Sequence, residues 1–211
     1  VRITYAHHST YLIESAEGVV VATDYSGYAG PGVVPDVATM NKAHSTHFTL
    51  YPDPAIGTVL RGWGENGEPA RHAETVRDVY IRNVTTDINR YGVFEADGNS
   101  IFIFEVAGLC IGHLGHLHHE LDASDYAAIG RLDIVMVPVD GGYTMSQAGV
   151  GEIAARLRSS IVLPMHRFRT PIEQFLARIP DFAVERRAEP RFTVSMRGLP
   201  DRPTVILLDG V

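Results

Sequence analysis

Three separate stretches of this chain run apolar and then finish in histidine. A run rich in β-branched residues (Val33, Val34, Val37, Thr39, Met40) leads into a polar segment carrying His44 and His47. The apolar strand Leu109–Gly112 leads into His113, His116, His118 and His119, and IVLP leads into His166. A strand followed by a polar loop is how many folds present chemical groups at the end of a sheet. Three such ends finishing in imidazole point to a sheet structure whose strand ends converge on one metal. Neutral imidazole is the commonest protein ligand for zinc and its neighbours.

The remaining pattern agrees with a sheet-rich chain. VRITYA and STYLIE read as paired strands and VVVATD as a third, with AEG as the turn before it. SGYAGPGVVP reads as loop. The stretch from His44 to Pro69 reads as long and irregular, broken by YPDP and GWGENGEP, and loops of that length are functional or mobile. Its aromatic residues Phe48, Tyr51 and Trp63 either tack it onto the body or wall a cleft. RDVYIRNV resumes strand character, and Ser100–Val106 with Leu109–Gly112 forms a hairpin around Ala107 and Gly108. Asp122–Ile129 and Ser146–Arg158 read as helices, the second with Val150, Ile153, Ala154 and Leu157 near one face and Ser146 as N-cap. Strands at Ile134–Val139 and Ile161–Leu163 follow helical stretches as in βα units. Thr170 is placed to cap a short helix, PIEQFLARI, and RFTVSM and PTVILL read as closing strands.

Length and charge narrow the function. The chain has 211 residues, enough for one domain or one domain of two similar halves. Its net charge is −7 and no Lys/Arg cluster interleaves with aromatics. That composition disfavours a nucleic-acid groove, since phosphate contacts need concentrated positive charge. The single cysteine, Cys110, excludes an internal disulfide and lies in an apolar strand. No apolar run is long enough to span a bilayer, so no membrane partner is expected. The chain begins at Val1, directly in strand-like sequence, and both cytoplasm and periplasm stay open as compartments.

In order, TYAHHSTYLIES, VVVATDY, DVATMNKAHSTH, SIFIFEVAGLCIGHLGH, VMVPVDGGYTM and VLPMHR resemble the landmarks of the metallo-β-lactamase superfamily, in its compact branch without a large cap domain. The resemblance covers nearly the whole chain. It implies an α/β fold, a four-layer αββα sandwich, in a single domain spanning 1–211, and a metal-dependent hydrolase activity. The departures are informative. The family ligand loop H-x-H-x-D-H, laid on Lys42–His47, reads K-x-H-x-T-H, so that Lys42 and Thr46 replace two ligands while His44 and His47 are kept. A later family histidine falls near Thr85. The bridging aspartate falls on His116, and the final histidine is kept as His166. His8 occupies an early histidine position that lies near the metal without being a ligand. Asp24 either forms a turn or orients a ligand imidazole. His113 is expected to pack at its strand end, and His118 and His119 to divide, one facing the cleft. In Asp140-Gly141-Gly142-Tyr143, Tyr143 either hydrogen-bonds a substrate oxyanion or belongs to a simple turn.

Two divalent cations a few ångströms apart need anionic ligands between them. Thr46 and His116 remove both carboxylates of the family site, so one zinc is expected rather than two. His47, His116 and His166 would hold it, with His44 beside them and a fourth position open for water, as catalytic zinc requires. Lys42 either supplies positive charge where the second metal is missing or is a solvated remnant. The expected activity is hydrolysis of a small ester, lactone, amide or phosphoester by a zinc-bound hydroxide. The alternative is a non-catalytic metal- or ligand-binding descendant of the fold. An iron oxidoreductase would need carboxylate ligands that the pattern does not place. No motif speaks to oligomeric state.

Overall fold

The computed structural model of the chain describes residues 1–90 and 92–209. Two sheets face each other. The first has six strands: β1 (Arg2–His7), β2 (Thr10–Glu14), β3 (Val20–Ala22), β4 (Val37–Met40), β5 (Thr58–Arg61) and β13 (Arg191–Thr193), in the order β13-β1-β2-β3-β4-β5. The second has eight: β6 (Ala73–Val76), β7 (Val79–Arg90), β8 (Val93–Val106), β9 (Leu109–His113), β10 (Ile134–Pro138), β11 (Ile161–Met165), β12 (Ala183–Arg187) and β14 (Thr204–Leu208). Their order is β12-β14-β11-β10-β9-β8-β7-β6.

Side-chain alternation explains why the second sheet is sandwiched. Successive residues of a strand point to opposite faces. In β8, Phe102 and Phe104 enter the core between the sheets, while Ile101 and Ile103 enter a second core on the far side. The same division holds for Ile134 and Met136 against Val135 and Val137 in β10, and for Ile206 and Leu208 against Val205 and Leu207 in β14. Strands apolar on both faces are those of a sheet covered on both sides. The far side is covered by α1 (Ala123–Ile129), α2 (Gln147–Leu157) and α3 (Ile172–Leu176), through residues such as Ile129, Val150, Ile153 and Phe175. Asp122 caps α1 in a full capping box and Ser146 caps α2.

The architecture is an αββα-type sandwich in which the helices gather on one side. The outer face of the first sheet carries a smaller cluster, Ala22, Tyr25, Ala29, Ala38, Met40 and Ile56, covered by the segments around 25–36 and 48–63. Phe48 and Trp63 pack edge-to-face there, with ring centres 5.4 Å apart, and so tack that stretch to the body. The stretch is less irregular than its breakers suggest, because β5 lies within it and pairs parallel to β4. Thr170 does not cap α3. Pro171 occupies the cap position without a side-chain bond, and the Thr170 hydroxyl donates to the Asp140 carbonyl oxygen at 2.6 Å. RFTVSM shortens to β13, and a 3₁₀ turn at Met196–Gly198 follows it.

Candidate metal centre

The groups expected to carry chemistry lie where strands end. His8 follows β1, Asp24 follows β3, Asn41–His47 follows β4, His113–His119 follows β9, Asp140 follows β10 and His166 follows β11. β3, β4 and β5 are parallel, as are β9, β10, β11 and β14. Their C-terminal ends therefore share a rim, and the rims of both sheets contribute.

The structure brings His44, His47, His116 and His166 together. Ring centres of His47 lie 4.6 Å from His44, 4.9 Å from His116 and 5.0 Å from His166, and His116 lies 5.5 Å from His166. It also brings in His8, whose ring stacks on His166 at 4.3 Å and lies 5.6 Å from His47. Two triads have ligand nitrogens within 4.8 Å of one another: His8, His47 and His166, and His44, His47 and His116.

Carboxylates stand behind two of these rings. His47 Nδ1 meets Asp24 Oδ2 at 2.5 Å, and His166 Nδ1 meets Asp140 Oδ2 at 3.1 Å, all four side chains being buried. A carboxylate only accepts, so each Nδ1 carries the proton and each Nε2 presents a lone pair. Among the described residues, Nε2 of His8, His47 and His166 are buried without any hydrogen-bond partner. A buried polar atom left alone costs free energy. Nε2 of His47 and His166 thus present lone pairs, and the buried Nε2 of His8 lies on the ring beside them, a donor set that a borderline-soft divalent metal takes up, so the residues present fit a metal ion.

On the other side of His47 the nitrogens are occupied. Thr46 Oγ1 bonds His44 Nδ1 at 2.6 Å, His44 Nε2 bonds His116 Nε2 at 3.0 Å, and His116 Nδ1 bonds His118 Nε2 at 2.8 Å. His113 stands apart from this chain. Its Nδ1 accepts from the Gly115 N–H, and its Nε2 therefore donates to the Ser9 carbonyl oxygen at 2.8 Å. His119 lies elsewhere too, with its Nε2 accepting from the Asp87 N–H.

Electrostatics favours neutral rings and ionised carboxylates. Burial, then repulsion from His166, His47 and His44, pushes the His8 pKa down to about 3. Burial also lowers His116 and His166, the latter against a hydrogen bond to Asp140. For Asp24, burial would raise the pKa, but His113, His47 and the Asn41 amide outweigh it and hold the carboxyl below the usual range. Burial is likewise outweighed at Asp140, by His166, Thr144 and the N–H groups of Gly142 and Tyr143.

Several members of this site carry no motif of their own. Asn41 donates to Asp24 Oδ1 at 2.8 Å and clasps Ser100 through both backbone groups. Asn99 Oδ1 accepts from the His116 N–H at 2.7 Å. A Cβ on Gly115 (φ +61°) would fall 2.4 Å from Asn99 Oδ1 and 2.7 Å from Asn41 Nδ2, which is why glycine stands there. The signal for Asp140 was its place at the end of an apolar strand, which it shares with Asp24. His8, Asp24 and His166 all adopt left-handed backbone, at φ +49°, +42° and +57°. Such conformations persist in residues other than glycine when their surroundings impose them.

Tyr143 lies at the rim, 43% exposed, under the Arg169 guanidinium and 6.0 Å from Phe168. Phe168, 56% exposed, stacks on His8 at 5.3 Å and lies 5.7 Å from His166. Beside them a cleft of about 550 Å³ is lined by Tyr5, His7, His8, Arg167, Phe168 and Thr170. The Lys42 ammonium bonds the Gly67 carbonyl oxygen at 2.9 Å and pairs with Glu95 at 2.5 Å. No helix among the described residues is long and apolar enough to cross a membrane.

Comparison with known proteins agrees with this geometry. A family model described as a beta-lactamase superfamily domain matches residues 2–166. A metal-dependent hydrolase from Methanosphaerula palustris is 28% identical over 193 residues, covering 82% of this chain and 87% of that protein. A crystal structure from Thermotoga maritima, assigned to the Zn-dependent hydrolases of the metallo-beta-lactamase superfamily, superposes with a TM-score of 0.76. It is 26% identical and covers 100% of this chain and 99% of its own. A metallo hydrolase from Ignicoccus hospitalis shares the fold at a TM-score of 0.60 and 16% identity, over 85% of this chain and 90% of its own.

Proposed function

Because the chain belongs to the metallo-β-lactamase superfamily, we propose that it is a zinc hydrolase with one metal, acting on a small ester, lactone, amide or phosphoester. The observation that carries this reading is the set of partnerless buried Nε2 atoms on His8, His47 and His166. A count of nitrogens supports one metal. Both triads need His47. Its Nδ1 is taken by Asp24, so only Nε2 can bind, and one imidazole lone pair serves one metal. The donors are neutral imidazoles, which suit zinc and leave no anionic bridge for a second cation.

A divalent metal in this cluster supplies Lewis acidity and lowers the pKa of a water toward about 7. The chain's own residues do the rest. Asp24 and Asp140 keep the Nδ1 protons of His47 and His166 in place, so the Nε2 lone pairs stay directed inward. Phe168 stacks on the His8 ring and tilts against His166, and limits water there. Tyr143, next to Phe168 on the rim, is our candidate donor to an oxygen of the substrate. Lys42 is held by Glu95 and Gly67, and in this reading it braces the loop that carries His44 and His47. The cleft beside His8 takes the part of a small substrate that does not react.

The test is zinc analysis of the purified protein together with a panel of p-nitrophenyl esters, lactones and phosphodiesters. We expect about one zinc per chain, as for a three-ligand catalytic site that keeps its fourth position open, and turnover that chelation removes and zinc restores. Absence of zinc uptake overturns the reading. Zinc uptake with no turnover across the panel would favour the non-catalytic descendant. The bonds that His44, His116 and His118 make among themselves already give that alternative some support.

A further inference from the structure

We infer that the metal belongs on the His8 side of His47, with His8, His47 and His166 as its protein ligands and His116 outside the ligand set. The inference rests on the reading above that the chain binds a divalent metal, and it names the atoms that do so.

Hydrogen-bond accounting separates the two triads. In the first, Nε2 of all three rings is buried and partnerless. In the second, His44 and His116 use both nitrogens already. One direction of donation satisfies that whole chain with neutral rings: Thr46 O–H to His44 Nδ1, His44 Nε2–H to His116 Nε2, His116 Nδ1–H to His118 Nε2. A metal there would displace the bond between His44 and His116, whereas a metal on the His8 side displaces none.

Charge points the same way. Asp24 and Asp140 are buried and bonded to His47 and His166. Buried carboxylates need a compensating partner, and two of them behind two imidazoles match one divalent cation. The backbone of His8 is also fixed for this role. Its carbonyl oxygen accepts from the Tyr5 hydroxyl at 2.9 Å and from the His166 N–H at 3.0 Å, joining the two left-handed histidines directly. His8 thereby supplies the third ligand that Thr46, at the aspartate position of the family pattern, does not.

The deciding experiment compares His8→Asn with His116→Ala in the full-length protein. Asparagine tolerates the left-handed backbone, so His8→Asn removes the imidazole and keeps the chain path. Zinc affinity is read by competition with a chromophoric chelator, and the ligand field by the visible absorption of the cobalt-substituted protein. We expect His8→Asn to weaken zinc binding by about a thousandfold or more, beyond the 10–100-fold effect of losing a residue that only supports a ligand. His116→Ala should stay within about threefold of the parent and keep the parent's cobalt spectrum. Parent-like affinity in His8→Asn overturns the inference, as does a changed cobalt spectrum in His116→Ala, which does not depend on how His8→Asn folds. If the parent protein itself binds zinc and only His116→Ala loses it, the hydrolase reading stands and this inference falls. A parent that binds no zinc overturns both.

Discussion

His47 stands between two sets of imidazoles that burial treats alike and bonding treats differently. Toward His8 and His166 the Nε2 atoms of the three rings are buried without partners, and carboxylates hold Nδ1 of His47 and His166. Toward His44, His116 and His118 the nitrogens bond one another in sequence. Proximity of histidines is therefore a poor guide to a metal. Both sides are rich in imidazole, and only the count of donors and acceptors distinguishes a set awaiting a cation from a set already satisfied.

The largest break in this comparison comes from the residue both sides share. His47→Ala removes a ligand from either triad and leaves the Asp24 carboxylate buried without its imidazole partner. It should abolish zinc binding and cost about 3–5 kcal/mol of stability, the usual penalty for stranding a buried charge. Urea denaturation and zinc titration of the variant read both, and retained zinc would mean that the two sides bind independently of His47.

Next in size is a matched pair behind the rings. Asp140→Asn turns an acceptor toward His166 Nδ1 into a possible donor and disturbs the tautomer that presents Nε2. Zinc affinity should fall by roughly 10–100-fold. His118→Ala, the corresponding change behind His116, should leave affinity within about threefold, since support behind a non-ligand has little to transmit. Equal losses in a chelator competition would erase the distinction between the sides.

Acid should weaken both sides together. An unfolded chain protonates its histidines near pH 6.5, whereas the folded, metal-free protein holds His8, His116 and His166 neutral below that value. As pH falls through about 6.5 the unfolded state takes up protons that the folded state refuses, so stability declines. Asp24 and Asp140 are held ionised below the range of an unfolded aspartate. Their contribution is complete above about pH 4 and lost only below it. The urea midpoint of zinc-free protein should therefore drop between about pH 7 and pH 5, and His8→Asn and His116→Ala should each flatten that slope. A midpoint that stays level over this range would show that these rings are not buried neutral.

The smallest effect is expected at Lys42, outside both sets. Its ion pair with Glu95 is partly exposed, so Lys42→Ala should change stability by about 0–1 kcal/mol and leave zinc content unaltered. A large fall in turnover at constant zinc would give this ammonium a chemical role despite its pairing.

Sequence pattern carried much of the layout. Continuous apolar runs such as IFIF and IVMV mark strands buried on both faces, and strand ends finishing in histidine or aspartate mark the rim. What it could not carry is partnership across the chain. Asn41 meets Ser100 and His113 meets Ser9 at sequence separations of 59 and 104, contacts that no local period encodes. β5 was hidden because TVLR is short and flanked by breakers, and its strand character comes from the parallel neighbour β4. Thr170 looks like a cap, yet its hydroxyl is better used against the Asp140 carbonyl oxygen. The resemblance sets His8 near the metal, but its left-handed backbone gives no sign in the sequence, because a histidine in a tight turn reads like any polar turn residue.

The loop cover on the outer face of the first sheet has a mechanical consequence. The outer face of that sheet rests on a small cluster in which alanines alternate with Tyr25, Met40 and Ile56, whereas β10 and β11 are clamped between two large cores. Regions with fewer buried apolar contacts open locally at lower free energy, so backbone amides of β3 and β4 should exchange with deuterium sooner than those of β10 and β11. His8 and His47 hang from the softer sheet and His166 from the stiffer one. An ion shared by these three would act as a bolt through the sandwich. Its protection should appear mainly on the soft side, as slowed exchange in β4 and in the turn after β1.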